Sequence, residues 1–221
     1  MIEPVKNRTI QVHVQPLAQF IHLVKSDFKN LPEYHQYKKN TIYQQRNHYL
    51  SVFLQHHISE ADILRNEFGK PYLAHLEKIA FNHSHSQQHY ALIMSQNMAN
   101  IGVDVEDLDR KVRFETLAKH AFHPQEYQTW QDVEFDSEYW FKVWTTKEAV
   151  LKASGLGIRL SLNTLNTQVH PFDHGGICTH PLIGVFAYQN YRLPNCMLTI
   201  AWRSEHSCKG FAFPQIKMIQ H

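Results

Sequence analysis

Only three cysteines occur in the 221 residues, Cys178, Cys196 and Cys208. An odd count without CxxC spacing argues against a disulfide framework and against a structural zinc site, and reads as reduced, structural thiols. Long apolar runs are missing too. Nothing approaches the ~20 residues that cross a bilayer, the longest stretch being LIGVFAY at 182–188. The opening MIEPVKN has no apolar signal core, so a soluble cytoplasmic chain without membrane association is expected. Charge of one sign is scarce: 22 Lys and Arg against 20 Asp and Glu leave +2. With no stripe of Lys and Arg, nucleic-acid binding lacks its electrostatic footing. No internal repeat is legible, and no low-complexity linker divides the chain.

What is present begins with 43% hydrophobic residues, enough at this length for a packed interior in one large domain or two small ones. Histidine is abundant, at 17. At that frequency about one His-x-His pair arises by chance, and a zinc site needs a fuller ligand set. One pair is found, His83-Ser84-His85. Most of the histidines are therefore read as surface residues.

Chemistry concentrates in two stretches. In IGVDVE at 101–106, Ile101, Val103 and Val105 alternate with Gly102, Asp104 and Glu106. A period of two is the rhythm of a strand, so Asp104 and Glu106 project from one face. Two carboxylates one pleat apart can serve a hard cation such as Mg²⁺ while substrate phosphates complete its shell. Taken alone, the same pattern describes a strand with a solvated acidic face. In the second stretch, Trp140, Val143, Trp144, Val150 and Leu151 recur at helical spacing between Asp136 and Ser154, which predicts an amphipathic helix. Glu148 and Lys152 lie one turn apart on it, the orientation of an i,i+4 ion pair. Thr145 and Glu148 also spell a capping box, but helical periodicity already runs upstream of that supposed cap. Gly155 and Gly157 follow the last periodic residue, where helices end in a left-handed turn.

Elsewhere, 10–14 alternates like a strand, and Leu17, Phe20, Ile21, Val24 and Phe28 mark a helix that Pro32 should close. A second helix is expected over 41–57, with Ile42, Tyr49, Leu50, Phe53 and Leu54 on its apolar face and Arg46 pointing elsewhere. Extended segments follow near 79–82, 90–95 and 98–106, and helices near 114–122 and after Pro124. Strand-like pieces return at 182–190 and 196–203, with turns at Pro171, Gly175 and Gly176.

Gly102-Val-Asp104-Val-Glu106, followed by Trp144-Thr-Thr-Lys147-Glu148-Ala-Val-Leu-Lys152 and Gly-x-Gly, resembles the Sfp-type 4′-phosphopantetheinyl transferases. Gly69-Lys70-Pro71 and Phe81-Asn82-His83-Ser84-His85-Ser86 stand upstream in that family's order. The resemblance runs from about 46 to 157. It implies an α+β fold of two pseudo-symmetric halves, 1–98 and 99–221, with the active site in the cleft between them. It also implies transfer of the 4′-phosphopantetheine arm of coenzyme A to a serine of an acyl or peptidyl carrier protein, with release of 3′,5′-ADP. By the same resemblance Asp104, Glu106 and Glu148 hold Mg²⁺, Glu148 is the base, and Lys152 serves the departing phosphate. Arg46, Lys70, Ser84 and His85 would contact coenzyme A. Siderophore, polyketide and fatty acid carriers are all open, a docking region is expected near 114–130, and two halves completing one site imply a monomer. The chain departs from the family where basic residues usually precede the N-terminal helix, reading Tyr34, His35 and Gln36, with Lys38 and Lys39 beyond. The same carboxylates and Lys152 would also suit a metal-dependent phosphohydrolase or nuclease, which needs a nucleic-acid surface that the modest charge does not offer.

Overall fold

One strand organises the molecule. Over His89–Ser95 (β5) Tyr90, Leu92 and Met94 point to one side and Ala91 and Ile93 to the other, all fully buried. The first set packs on Ile42, Tyr49 and Leu50 of helix α1, Leu31–Leu54. The second set meets Ile101, Val103 and Val105 of β6, Ile101–Asp107, and Leu198 and Ile200 of β9, Cys196–Arg203. Each such side chain contributes roughly 1.5–3 kcal/mol by leaving water. Two sheets therefore lie face to face in the middle of the fold, with α1 covering the outside of one. The computed structural model describes residues 8–76, 78–204 and 213–221; Cys208 lies outside them.

The first sheet has the order β10-β1-β5-β4, with β1 at Thr9–Pro16, β4 at Ala80–His85 and β10 at Gln215–Gln220. The second has the order β6-β9-β8-β7, with β7 at Gly175–His180 and β8 at Gly184–Arg192. Both begin alike: the earliest strand of each sheet, β1 or β6, pairs antiparallel with a later one, β5 or β9. A long helix follows the first strand in each, α1 in one and α4, Ser137–Ser154, in the other. The fold is α+β as expected. β10 pairs in parallel with β1, so the last described strand sits in the first sheet rather than beside its sequence neighbours. The short pair β2, Ile63–Arg65, and β3, Pro71–Leu73, stands apart.

The outer face of the second sheet is covered by α4, packed with α2, Phe114–Ala121, and α3, Pro124–Asp132. Asp136 caps α4, accepting from the Tyr139 N–H at 2.7 Å, and Gly155 ends it at φ 77°. Thr145 is thus mid-helix and no capping box forms there. The N-terminal third differs from its expected form. Residues 17–28 form only two 3₁₀ turns, and Pro32 opens α1 instead of closing a helix. Asn30 supplies the cap, accepting from Glu33 N–H at 2.9 Å, and proline is favoured in a first turn because no intrahelical donor is lost there. Gly175 and Gly176 lie within β7, not in a turn. Among the described residues no helix is long and apolar enough to cross a membrane.

Candidate active site between β4, β6 and α4

Gly102 sets how closely α4 approaches β6. A Cβ there would stand 2.1 Å from the Ala149 carbonyl oxygen and 2.4 Å from the Ala153 nitrogen, so only hydrogen fits between strand and helix. Alternation then turns Asp104 and Glu106 to the same side as Gly102, beneath the helical turn that carries Glu148 and Lys152.

Lys152 leaves its expected partner. Its ammonium bonds Asp104 Oδ1 at 2.6 Å and Ser84 Oγ at 2.9 Å, while Ser84 donates to Asp104 Oδ1 at 2.8 Å. Three sequence-distant motifs thus meet in one part-buried triangle rather than in an i,i+4 pair. Ser84 reaches it because Asn82 and Ser84 share the face of β4 turned to β6, where Asn82 accepts from Val103 N–H at 2.9 Å. Phe81, by contrast, packs toward α1, the side on which His83 sits edge-on to Tyr43. His83 is pushed down to about 3 by burial, which keeps it neutral, and the exposed His85 approaches only the Ser86 carbonyl.

The other two acids are held differently. Glu106 accepts from Arg110 at 2.7 Å and from the Trp144 indole at 3.3 Å. Burial, and then the neighbouring Asp104 charge, raise its carboxyl above the usual value. Glu148 is raised by burial and next by Asp104. Glu148 and Lys152 line a cleft of about 510 Å³ with Lys70, Asn82, His83 and Leu151 among its walls.

Lys70 reaches the same cleft by another route. Its ammonium donates to the Ala153 and Ile101 carbonyls at 2.9 and 3.2 Å, closing the C-terminal end of α4, where carbonyls lack helical partners. Burial lowers it to about 8. Arg46 is not free to point elsewhere. It is fully buried, paired with Glu60 and Asn47 and stacked 4.5 Å over Tyr43, away from the cleft lining. Lys147, next to Glu148, is buried against Glu126 at 2.7 Å. Tyr34, His35, Gln36, Lys38 and Lys39 lie within α1 rather than before it. Arg110 and Trp144 as partners of Glu106, and the Asp107 network described below, escaped sequence reading because Arg110 stands four residues on but past the end of a strand, and the other partners come from distant segments.

Among the described residues no three His, Cys, Asp or Glu side chains stand as a ready metal-binding group. The donor set nonetheless suits a hard divalent cation. Asp104 Oδ2 is buried without any partner. Three carboxylates, Asp104, Glu106 and Glu148, face two cations, Lys152 and Arg110, which leaves one negative charge in excess. An unpartnered buried carboxylate oxygen is costly and calls for an ion or a donor.

Comparison with known proteins bears on the same segment. Residues 100–196 match the model of the 4′-phosphopantetheinyl transferase superfamily. A 4′-phosphopantetheinyl transferase of Bacillus subtilis is 31% identical over 113 residues, 50% of this chain and 49% of that protein. The 4′-phosphopantetheinyl transferase HetI of Nostoc is 36% identical over 118 residues, 51% and 49% of the two chains. Sfp of Bacillus subtilis strain 168 is 29% identical over 120 residues, 52% of each. The chain spans about half the length of the curated relatives it matches.

Proposed function

We propose, because residues 100–196 match the model of the 4′-phosphopantetheinyl transferase superfamily, that the chain moves the 4′-phosphopantetheine arm of coenzyme A onto a serine of an apo acyl or peptidyl carrier protein. The observation that carries this reading is the triangle of Asp104, Lys152 and Ser84, whose Lys152 lines a cleft together with Glu148 and Lys70.

The carrier's serine oxygen attacks the phosphorus that bears the pantetheine arm. The bridging P–O bond breaks, and 3′,5′-ADP departs with the electron pair. Glu148 takes the serine proton, a role suited to a carboxylate whose pKa is raised toward neutrality. Lys152 holds positive charge beside Asp104 and Ser84, where the departing phosphate gathers negative charge. Asp104, through its unpartnered Oδ2, with Glu106 and Glu148 would hold Mg²⁺. When bound, that ion supplies Lewis-acid stabilisation of the diphosphate. Ser84 and His85 would reach the phosphates from β4, Ser84 by turning its hydroxyl away from Asp104. Lys70 serves by holding α4 against β6, and Arg46 by bracing α1 against β4, where its guanidinium lies 5.9 Å from the Phe81 ring. The hollow of about 560 Å³ between α2 and α3, walled by Ala118, Phe122 and Tyr127, supports reception of the carrier over 114–130.

The test is intact-mass measurement of apo carriers from several pathways after incubation with the protein, coenzyme A and Mg²⁺. Addition of one phosphopantetheine arm is expected. Carriers that all stay unmodified, or nucleotide released without any carrier, would overturn the proposal.

A further inference from the structure

Asp107 ends the acidic strand but belongs to a different network. Alternation turns it away from α4, and it is 1% exposed. Its carboxylate accepts four hydrogen bonds, all from the residues that connect β4 to β5. Oδ1 takes Ser86 Oγ at 2.6 Å and His89 Nδ1 at 2.7 Å. Oδ2 takes the backbone N–H groups of Gln87 and Gln88 at 2.9 and 3.0 Å. The turn is tied on its far side by Leu17 N–H to the Gln88 carbonyl at 2.6 Å.

A buried carboxylate with four donors is strongly held, and each of its bonds is stronger than a neutral one. Ser84 and His85 are the residues that enter this turn, and Asp104 lies three positions before Asp107 on β6. Asp107 therefore joins the Asn82 and Ser84 bonds in fixing the offset between the β4 residues offered to phosphate and the strand of acids, and holds the end of β4 that they do not reach. Asp107 is not among the residues that line the cleft.

We propose that Asp107 is a positioning residue: by holding the 86–89 turn it places Ser84 and His85 to meet the diphosphate of coenzyme A. The inference rests on the transferase reading and adds a determinant of coenzyme A affinity that lies outside the reacting groups.

Coenzyme A affinity by titration calorimetry, with KM for coenzyme A and for the carrier measured separately, tests it. For Asp107→Ala, Kd and KM for coenzyme A should rise about tenfold to a hundredfold, as for a misplacement of the order of 1 Å. KM for the carrier should stay within about twofold, as for a group that makes no contact with it. Asp107→Asn keeps a carbonyl for the two backbone donors and turns its amide to Ser86 and His89, so it should recover affinity to within about threefold of the native protein. Should the alanine variant fail to fold, Ser86→Ala removes one of the four bonds and should weaken coenzyme A by about threefold to tenfold. Native affinity in the folded alanine or serine variant, or an asparagine variant as impaired as alanine, would overturn the proposal while leaving the transferase reading intact. A native protein that binds no coenzyme A would overturn both.

Discussion

Replacing Gly102 by alanine adds a single methyl group where strand and helix touch. That methyl carbon would lie 2.1 Å from the Ala149 carbonyl oxygen and 2.4 Å from the Ala153 nitrogen. Comfortable contact for such atoms is about 3.5 Å, so α4 must retreat by on the order of 1 Å. The obstacle is backbone within a helix, which cannot swing aside as a side chain would. Overpacking of this kind costs about 1–3 kcal/mol. For a chain of this size each kilocalorie lowers Tm by about 2–4 °C, so a fall of about 2–12 °C is expected. The functional loss should be larger than the loss of stability suggests. Lys152 and Glu148 ride on the displaced helix, the 2.6 Å bond from Lys152 to Asp104 opens, and a shift of that size removes about a hundredfold in rate. Calorimetry gives Tm, and single-turnover transfer to an apo carrier at a temperature where both proteins are folded gives the rate. An unchanged Tm together with a rate within twofold of the native one would refute the claim that Gly102 sets the position of α4.

Glu148→Gln should leave the fold intact and lower kcat by about 10²–10⁴, as for loss of a general base, and a native rate by intact-mass time course would remove Glu148 from the chemistry. Burial and Asp104 penalise the ionised form of Glu148 and raise its pKa, so that penalty is present above the raised pKa and vanishes below the unfolded one. In metal-free buffer Glu148→Gln should therefore melt higher than the native protein at pH 8, and the gap should close as pH falls toward 4; a gap that widens on acidification would contradict the sign. Lys147→Met leaves Glu126 buried without its 2.7 Å partner, at a cost of about 3–5 kcal/mol. Calorimetry should register a large fall in Tm, and the folded fraction should keep a normal KM for coenzyme A.

The two central elements were legible because their periodicities are strong and local. The alternation of 101–106 gave β6 and the side chosen by Asp104 and Glu106, and the helical spacing of 140–151 gave α4 with its glycine end. The 17–28 segment failed for a physical reason: its apolar residues have helical spacing, but two 3₁₀ turns suffice to bury Leu17, and the Asn30 cap starts the real helix later. β10 was missed because its partner strand among the described residues lies some two hundred residues earlier, in β1. Within the site, the residue types were read from motifs, whereas their pairings were not. Glu148 and Lys152 have the spacing of an ion pair, yet Lys152 bonds Asp104, 48 residues earlier on β6, because that buried carboxylate lies under the helix within direct reach of its ammonium. Arg46 read as available for phosphate, although the aromatic rings of Tyr43 and Phe81 beside it enclose the guanidinium.

The central claim is that Asp104, Glu106 and Glu148 share one divalent ion with the coenzyme A diphosphate. Anomalous diffraction from crystals grown with coenzyme A and Mn²⁺ in place of Mg²⁺ tests it directly. The account predicts one peak within about 2.5 Å of oxygens from all three carboxylates and from the diphosphate. A peak held by phosphate oxygens alone, or lying away from Asp104, would contradict it.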